Sequence, residues 1–392
     1  MSLCSAKRVF GLRRNAATKG HLLMDQKQQT RQSNFELLRI AAMFFILCFH
    51  CVFRSIPDSV PLTFSGYLLR SFFILGKFGV NLYILISGYF MVKSHFRWKK
   101  VILLLGELCF YNLFVCVGSY LLKADSFSIP GLVRYTLKGF SFPWFLTVYL
   151  MVYILSPYLN RLILKLTQTE LKRMIVTVLL IWSLFPTAVS LFNGGKSETL
   201  LYYSDFIIFV IIYIIGAYLR LYPSGVFKTK KSSAAIAIFS YACVFAFMFV
   251  YDKFSYLLNP KVPMYFVKQN SVFIILLSVG VFCIFKDMTI KSSKIINTIA
   301  STTLGVYLLH DNGICQTFLW EDLLHMETRL SGRLPVLCVI GICACIFLCG
   351  IAIDLVRQFI EKHTLAKILN SKTYLRIESK IRSAYYSLLN KT

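Results

Sequence analysis

The sequence predicts an all-α polytopic membrane protein, a bundle of about ten transmembrane helices, on three observations. The 392 residues are 57% hydrophobic and only 15% charged, with a mean hydropathy of +0.65, whereas a soluble chain carries about 25% charged residues. Aromatic residues make up 16%, with 35 Phe and 22 Tyr, a composition suited to interfacial belts and helix packing in lipid. The apolar residues gather into ten runs, at roughly 35–55, 71–92, 101–122, 142–160, 174–192, 203–220, 233–251, 270–286, 295–314 and 334–356, each near the ~20 residues that cross a bilayer. The connections are short and leave no room for a second folded domain.

The net charge of +26 would point to nucleic acid if it were spread over a soluble surface. It alternates instead. Counting residues at span ends with the adjoining connection, 30 of the 43 Lys and Arg lie with the termini and the connections on their side. Eleven lie on the opposite side, and Arg39 and Lys77 fall within spans. By the positive-inside rule both termini are cytoplasmic, so the basicity records orientation and no nucleic-acid partner is expected.

The chain then divides into a basic N-terminal tail (1–34), expected to be disordered in the cytoplasm, a ten-helix membrane domain (35–356) and a basic amphipathic cytoplasmic tail (357–392). No apolar stretch precedes a cleavage site in residues 1–30, so no secretory signal is read there. The residues before Met24 fit a native tail and an over-long start equally well. The twelve cysteines lie mostly within spans and read as small buried hydrophobes, and no metal is expected.

Span one carries "RIAAMFFILCFH" (39–50). Eleven residues at 100° each bring Arg39 and His50 to one face, separated by about 16.5 Å. Glu36, Arg39, Met43 and His50 therefore form a stripe toward the bundle, with Arg39 near the inner end and His50 near the outer. For Arg39 the bland alternative is snorkelling or pairing with Glu36; for His50 it is a satisfied core histidine. Span nine, "ASTTLGVYLLHDN" (300–312), sets His310 and Asp311 at a matching depth. Two imidazoles beside a carboxylate at one level of a bundle are a proton-transfer group.

Span two, "FGVNLYILISGYFM" (78–91), holds Asn81, Ser87, Gly88 and Tyr89. Ser87 and Gly88 fit small-residue helix packing as well as a functional role. Span four, "FPWFLTVYLMVYILSPYLN" (142–160), opens on Trp144, which suits either an aromatic belt or a substrate contact. Lys77 is read as reaching the outer interface or lining the cavity.

Four of these segments, in this order, resemble integral-membrane acyltransferases of the acyltransferase-3 type. They are the Arg39–His50 element in "SNFELLRIAAMFFILCFH", "GVNLYILISGYF" (79–90), "PWFLTVYLMVYILSPYLN" (143–160) and "LGVYLLHDN" (304–312). The resemblance covers about 31–356. It implies ten membrane helices in a bacterial inner membrane and transfer of an acyl group, usually acetyl, from acyl-CoA to an envelope polysaccharide. His50 carries over as the catalytic histidine and Arg39 as its partner, while Asn81 stands where many relatives have Asp.

On that basis Arg39, with Arg97, Lys99 and Lys100, is expected to hold the phosphates of acetyl-CoA, the acyl donor. His50 takes the proton of an attacking sugar hydroxyl, or forms an acetyl-His intermediate. His310 and Asp311 orient the acceptor or share the proton relay. Asn81, Ser87 and Tyr89 are candidates for the oxyanion, and Trp144 for the acceptor. The expected partners are a glycan or lipid-linked sugar acceptor and membrane lipids. A transporter or flippase for a glycan intermediate is the alternative, with no dependence on acyl-CoA.

Overall fold

The structure is a computed structural model that describes residues 31–55, 64–123, 128–192, 204–223, 225–253 and 267–391. Every one of the ten expected spans has a helical counterpart, and no strand occurs among the described residues. The spans are α1 (Ser33–Ser55), α2 (Phe64–Met91), α3 (Trp98–Lys123) and α5 (Trp144–Lys165), with the short amphipathic α4 (Ile129–Gly139) between the last two. Next, α6 (Gln168–Leu179) runs through a π turn (Leu180–Leu184) into α7 (Phe185–Phe192). Then come α8 (Asp205–Leu221), α9 (Lys230–Lys253), α10 (Val272–Lys286), α11 (Lys294–Ser301) and α12 (Thr303–His310). The chain closes with α13 (Gly313–Thr317), α14 (Met326–Leu330), α15 (Pro335–His363), α16 (Leu365–Leu369) and α17 (Lys372–Lys391).

Seven of these helices are long and apolar enough to cross a membrane among the described residues. The protein is an all-α, multi-pass membrane protein. The other three expected spans are shorter than the sequence pattern promised: α8 has 17 residues, α10 has 15, and the ninth is broken in two. At 1.5 Å per residue, α10 covers only about 22 Å of a ~30 Å hydrocarbon core.

The break in the ninth span has a local cause. Ser301, Thr302 and Thr303 each turn a hydroxyl back onto the carbonyl three residues earlier, at Thr298, Ile299 and Ala300. Such bonds compete with the backbone ladder and bend helices. The result is α11 and α12 in series, with α12 ending at His310. Elsewhere the ends follow ordinary capping rules. Thr167 and Glu170 form a reciprocal capping box at the start of α6.

Helices α1 and α2 are the centre of the bundle. Of their apolar windows 67% and 78% is buried within the protein, against 17–39% for the other five long spans, which turn outer faces to lipid. Helix α1 packs on α2, α10, α11, α12 and α15, and α2 packs on α8. The α2–α8 contact is close because Gly88 and Gly216 face each other's helices. A Cβ on Gly88 would run into the Tyr213 backbone, and one on Gly216 into the Leu85 carbonyl. Gly88 is thus a packing residue.

Two expected boundaries move. Helix α1 starts at Ser33 rather than 35, because Ser33 and Asn34 bond Asn297 and the Phe285 carbonyl. Residues 1–30 of the expected N-terminal tail lie outside the described residues. At the other end α15 continues to His363, so Arg357, expected to open the C-terminal tail, lies inside a helix and is buried.

Candidate functional site

The site begins where α1 and α12 meet. His50 Nδ1 lies 2.9 Å from His310 Nε2, and His310 Nδ1 lies 2.6 Å from the Val306 carbonyl. A carbonyl can only accept, so His310 Nδ1 carries the hydrogen. In the neutral ring Nε2 is then the acceptor, and His50 must donate from Nδ1. The proton positions follow in sequence from one backbone carbonyl. They leave His50 Nε2 with a free lone pair.

Both rings are buried, His310 completely. Asp311 follows one residue later, its Oδ1 3.8 Å from His50 Nδ1, and Gln316 holds the same oxygen at 2.6 Å. The carboxylate is thus placed to stabilise an imidazolium at His50 without taking its proton. Tyr307 packs edge-on against Phe145 at 5.6 Å and lies 6.0 Å from the His310 ring, which limits the swing of α12.

A cavity of about 570 Å³ opens beside His50. Its wall descends α1 to Met43, one turn from Arg39, and Trp144, Phe145 and Tyr307 close another side. Trp144 lines the cavity and packs tilted against Phe209, ring centroids 5.9 Å apart. Arg54, Lys77 and Lys268 also line it. Burial holds the Lys268 amine below the usual lysine range, and Asp205 pulls it back up.

The expected phosphate-binding group lies at the other end of α1, and its members are partly engaged. Arg39 pairs with Glu36 at 2.9 Å, its side chain still about one-third exposed, and Tyr83 fixes its backbone carbonyl at 3.0 Å. Lys100 bonds the Tyr149 hydroxyl at 3.0 Å and lies over the Tyr153 ring. Lys99 reaches Asn370 with its amine and Glu378 with its backbone amide, so the C-terminal segment covers it. Arg97 is exposed and exchanges backbone bonds with Tyr153.

Of the expected oxyanion group, none of the three lines the His50 cavity. Asn81 is completely buried and gives its amide to the Gln269 carbonyl. Ser87 bonds the Tyr83 carbonyl of its own helix. Tyr89 accepts from Arg220 at 3.1 Å, which also lies over its ring. The Asn81 and Tyr89 bonds fasten α2 to its neighbours, while that of Ser87 stays within α2. The structure brings together His50, His310, Asp311 and Trp144, and sets Arg39, Lys99 and Lys100 at the far end.

Two features escaped the sequence reading. Cys48 and Cys51 bracket His50 in a Cys-x-x-Cys spacing, both fully buried, with Cys343 of α15 against them. The spacing was visible. The second is a charged cluster: Arg357 bonds Asp354 at 2.6 Å, pairs with Glu361, and reaches Glu107 on α3 at 3.4 Å. Tyr111 adds its hydroxyl to Asp354 at 2.8 Å. Acidic residues inside apolar runs, Glu107 and Asp354, were the signal.

Against known proteins, the acyltransferase-3 family model, described as an acyltransferase domain, matches residues 32–354. No curated protein and no solved structure matches.

Proposed function

The chain belongs to the acyltransferase-3 family and is a multi-pass membrane acyltransferase; from that premise we propose that it moves an acetyl group from acetyl-CoA to a hydroxyl of an envelope glycan, with His50 as general base. The observation that carries this reading is the His50 tautomer, which His310 holds with Nε2 unprotonated on a residue that lines the cavity.

The acceptor hydroxyl gives its proton to His50 Nε2 as its oxygen attacks the thioester carbonyl. The C–O ester bond forms, the C–S bond breaks, and the proton passes from His50 to the departing thiolate. Asp311, 3.8 Å from Nδ1, stabilises the transient imidazolium. Abutting rings of Phe49 and Tyr307 keep water from the base, which protects the thioester from hydrolysis.

The donor enters from the end of α1 that carries Arg39. Arg39 and Lys100 offer charge to its phosphates, and the pantetheine arm runs along the Met43 wall toward His50. With both termini in the cytoplasm of a bacterial inner membrane, that entrance faces the cytosolic acetyl-CoA pool, and the acceptor reaches His50 from outside.

The deciding experiment measures alkali-labile acetate on purified envelope glycan from cells lacking the gene, complemented with wild type or His50→Ala at equal membrane levels. Acetate restored by wild type and not by His50→Ala is the expected result. Equal restoration by both makes His50 a core residue, and restoration by neither favours movement of an unmodified substrate.

A further inference from the structure

Resting on that acyl-transfer reading, we propose that the acceptor carries an anionic group, a sugar carboxylate or a phosphodiester, which Lys77, Arg54 and Lys268 hold while the hydroxyl meets His50. All three cations line the same cavity as His50. Arg54 is four residues beyond His50 and so on the same face of α1, one turn outward. Lys77 comes from α2, its Nζ 4.9 Å from the ring centroid of Phe49, the residue beside His50. Lys268 comes from the segment that leads into α10.

Among the described residues two carboxylates face them. Asp311 is committed to Gln316 and to the His50 side of the cavity. Asp205, at the start of α8, opposes both Lys77 and Lys268. Asn81, one turn along α2 from Lys77, adds no charge and spends its amide on the Gln269 carbonyl. With the histidines neutral, three cations stand against two carboxylates among the described residues, around a cavity otherwise walled mainly by apolar and aromatic side chains.

An excess positive charge among apolar walls is costly until an anion shares it. A phenyl face offsets only part of that cost for Lys77. The same walls focus the field toward the cavity mouth and favour an incoming anion. Its volume, about 570 Å³, lies in the ordinary range for small-ligand sites. The donor's phosphates are already met at the Arg39 end, about 16.5 Å along α1. The cations beside His50 are therefore assigned to the acceptor.

The test uses membranes from cells that express the full chain and from cells lacking it, supplied with radiolabelled acetyl-CoA. The glycan is resolved by anion exchange before and after its charge is removed. Capping carboxylates with a neutral amine and cleaving phosphodiesters with hydrofluoric acid distinguish the two sources of charge.

The expected result is gene-dependent label in the anionic fraction, moved toward neutral elution by one of the two treatments. Lys77→Met lowers that label about tenfold or more, as loss of a desolvated charge partner does, and Lys77→Arg retains it. Arg54→Gln, at an exposed position, gives a smaller loss in the same direction. Label in neutral glycan overturns the proposal. So does anionic label that neither treatment moves, or a Lys77→Met defect cured by more acetyl-CoA, which would assign Lys77 to the donor. Absence of any gene-dependent label overturns the acyl-transfer reading itself, and this proposal with it.

Discussion

Two buried polar clusters meet on the eight residues of α12, and they are built on opposite principles. At one end His310 joins His50, and a nitrogen of the pair is left over to face a cavity. Near the other end Gly305 lies against Asp354 and Tyr111, where any Cβ would collide with both. That second cluster turns its charges on one another: Asp354 alone receives Arg357, Tyr111 and Gln358, and Arg357 answers three carboxylates. A network whose charges are mutually paired fastens α3, α12 and α15 together. A network with one open valence beside a cavity is equipped for chemistry.

That contrast can be broken most sharply at His50. Removing a general base costs about 10²- to 10⁴-fold in rate, so His50→Ala should lose that much initial transfer rate in membranes while eluting as a normal monodisperse protein in detergent. Transfer within tenfold of wild type would put His50 in the same architectural class as Asp354. The reverse pattern belongs to Arg357. Arg357→Met leaves Asp354, Glu107 and Glu361 without their shared cation, and breaking one side of a buried pair costs about 3–5 kcal/mol. A thermal melt of the purified variant should fall steeply. Combining it with Asp354→Leu should recover part of the loss, since isosteric apolar replacement removes the unpaired charge as well.

A smaller effect is expected at His310, which touches the base rather than the substrate. A hydrogen bond to a group that becomes charged is worth about 1.5–3 kcal/mol, so His310→Ala should lower kcat by roughly tenfold to a hundredfold. KM for the donor should stay unchanged. His310→Gln offers His50 Nδ1 a side-chain oxygen and should recover part of kcat. If KM for the donor moved while kcat held, the tautomer role assigned to His310 would be wrong. The smallest effect is expected at Tyr83, whose hydroxyl holds the Arg39 carbonyl. Tyr83→Phe should cost about 1 kcal/mol of stability, with transfer rate unchanged within about twofold, read from the same melts and assays.

Much of the fold was legible in the sequence because hydropathy sums along the chain. Ten apolar runs gave ten helical segments, and the spacing of Arg39 and His50 along α1 followed from 1.5 Å per residue. The errors came where backbone chemistry competes with hydropathy. Ser301, Thr302 and Thr303 look unremarkable in an apolar run, yet their hydroxyls break the ninth span. Arg357 looked like the start of a basic tail because its partner on another helix, Glu107, is 250 positions away in the sequence.

The candidate site divides the same way. Sequence alone determined that an all-α membrane bundle would form, and that His50 and His310 would lie at one level, since both follow from local periodicity. Only the tertiary structure decided that the two rings touch, across 260 positions of chain, and that the Val306 carbonyl fixes which nitrogen stays basic. It also decided that Asn81 and Tyr89 fasten α2 to its neighbours and Ser87 bonds its own helix instead of lining the cavity, and that Lys77, Arg54 and Lys268 converge there. Hydrogen-bond direction and charge balance belong to groups that meet in space. Periodicity fixes the face a side chain occupies, while the partner on that face depends on how the helices pack.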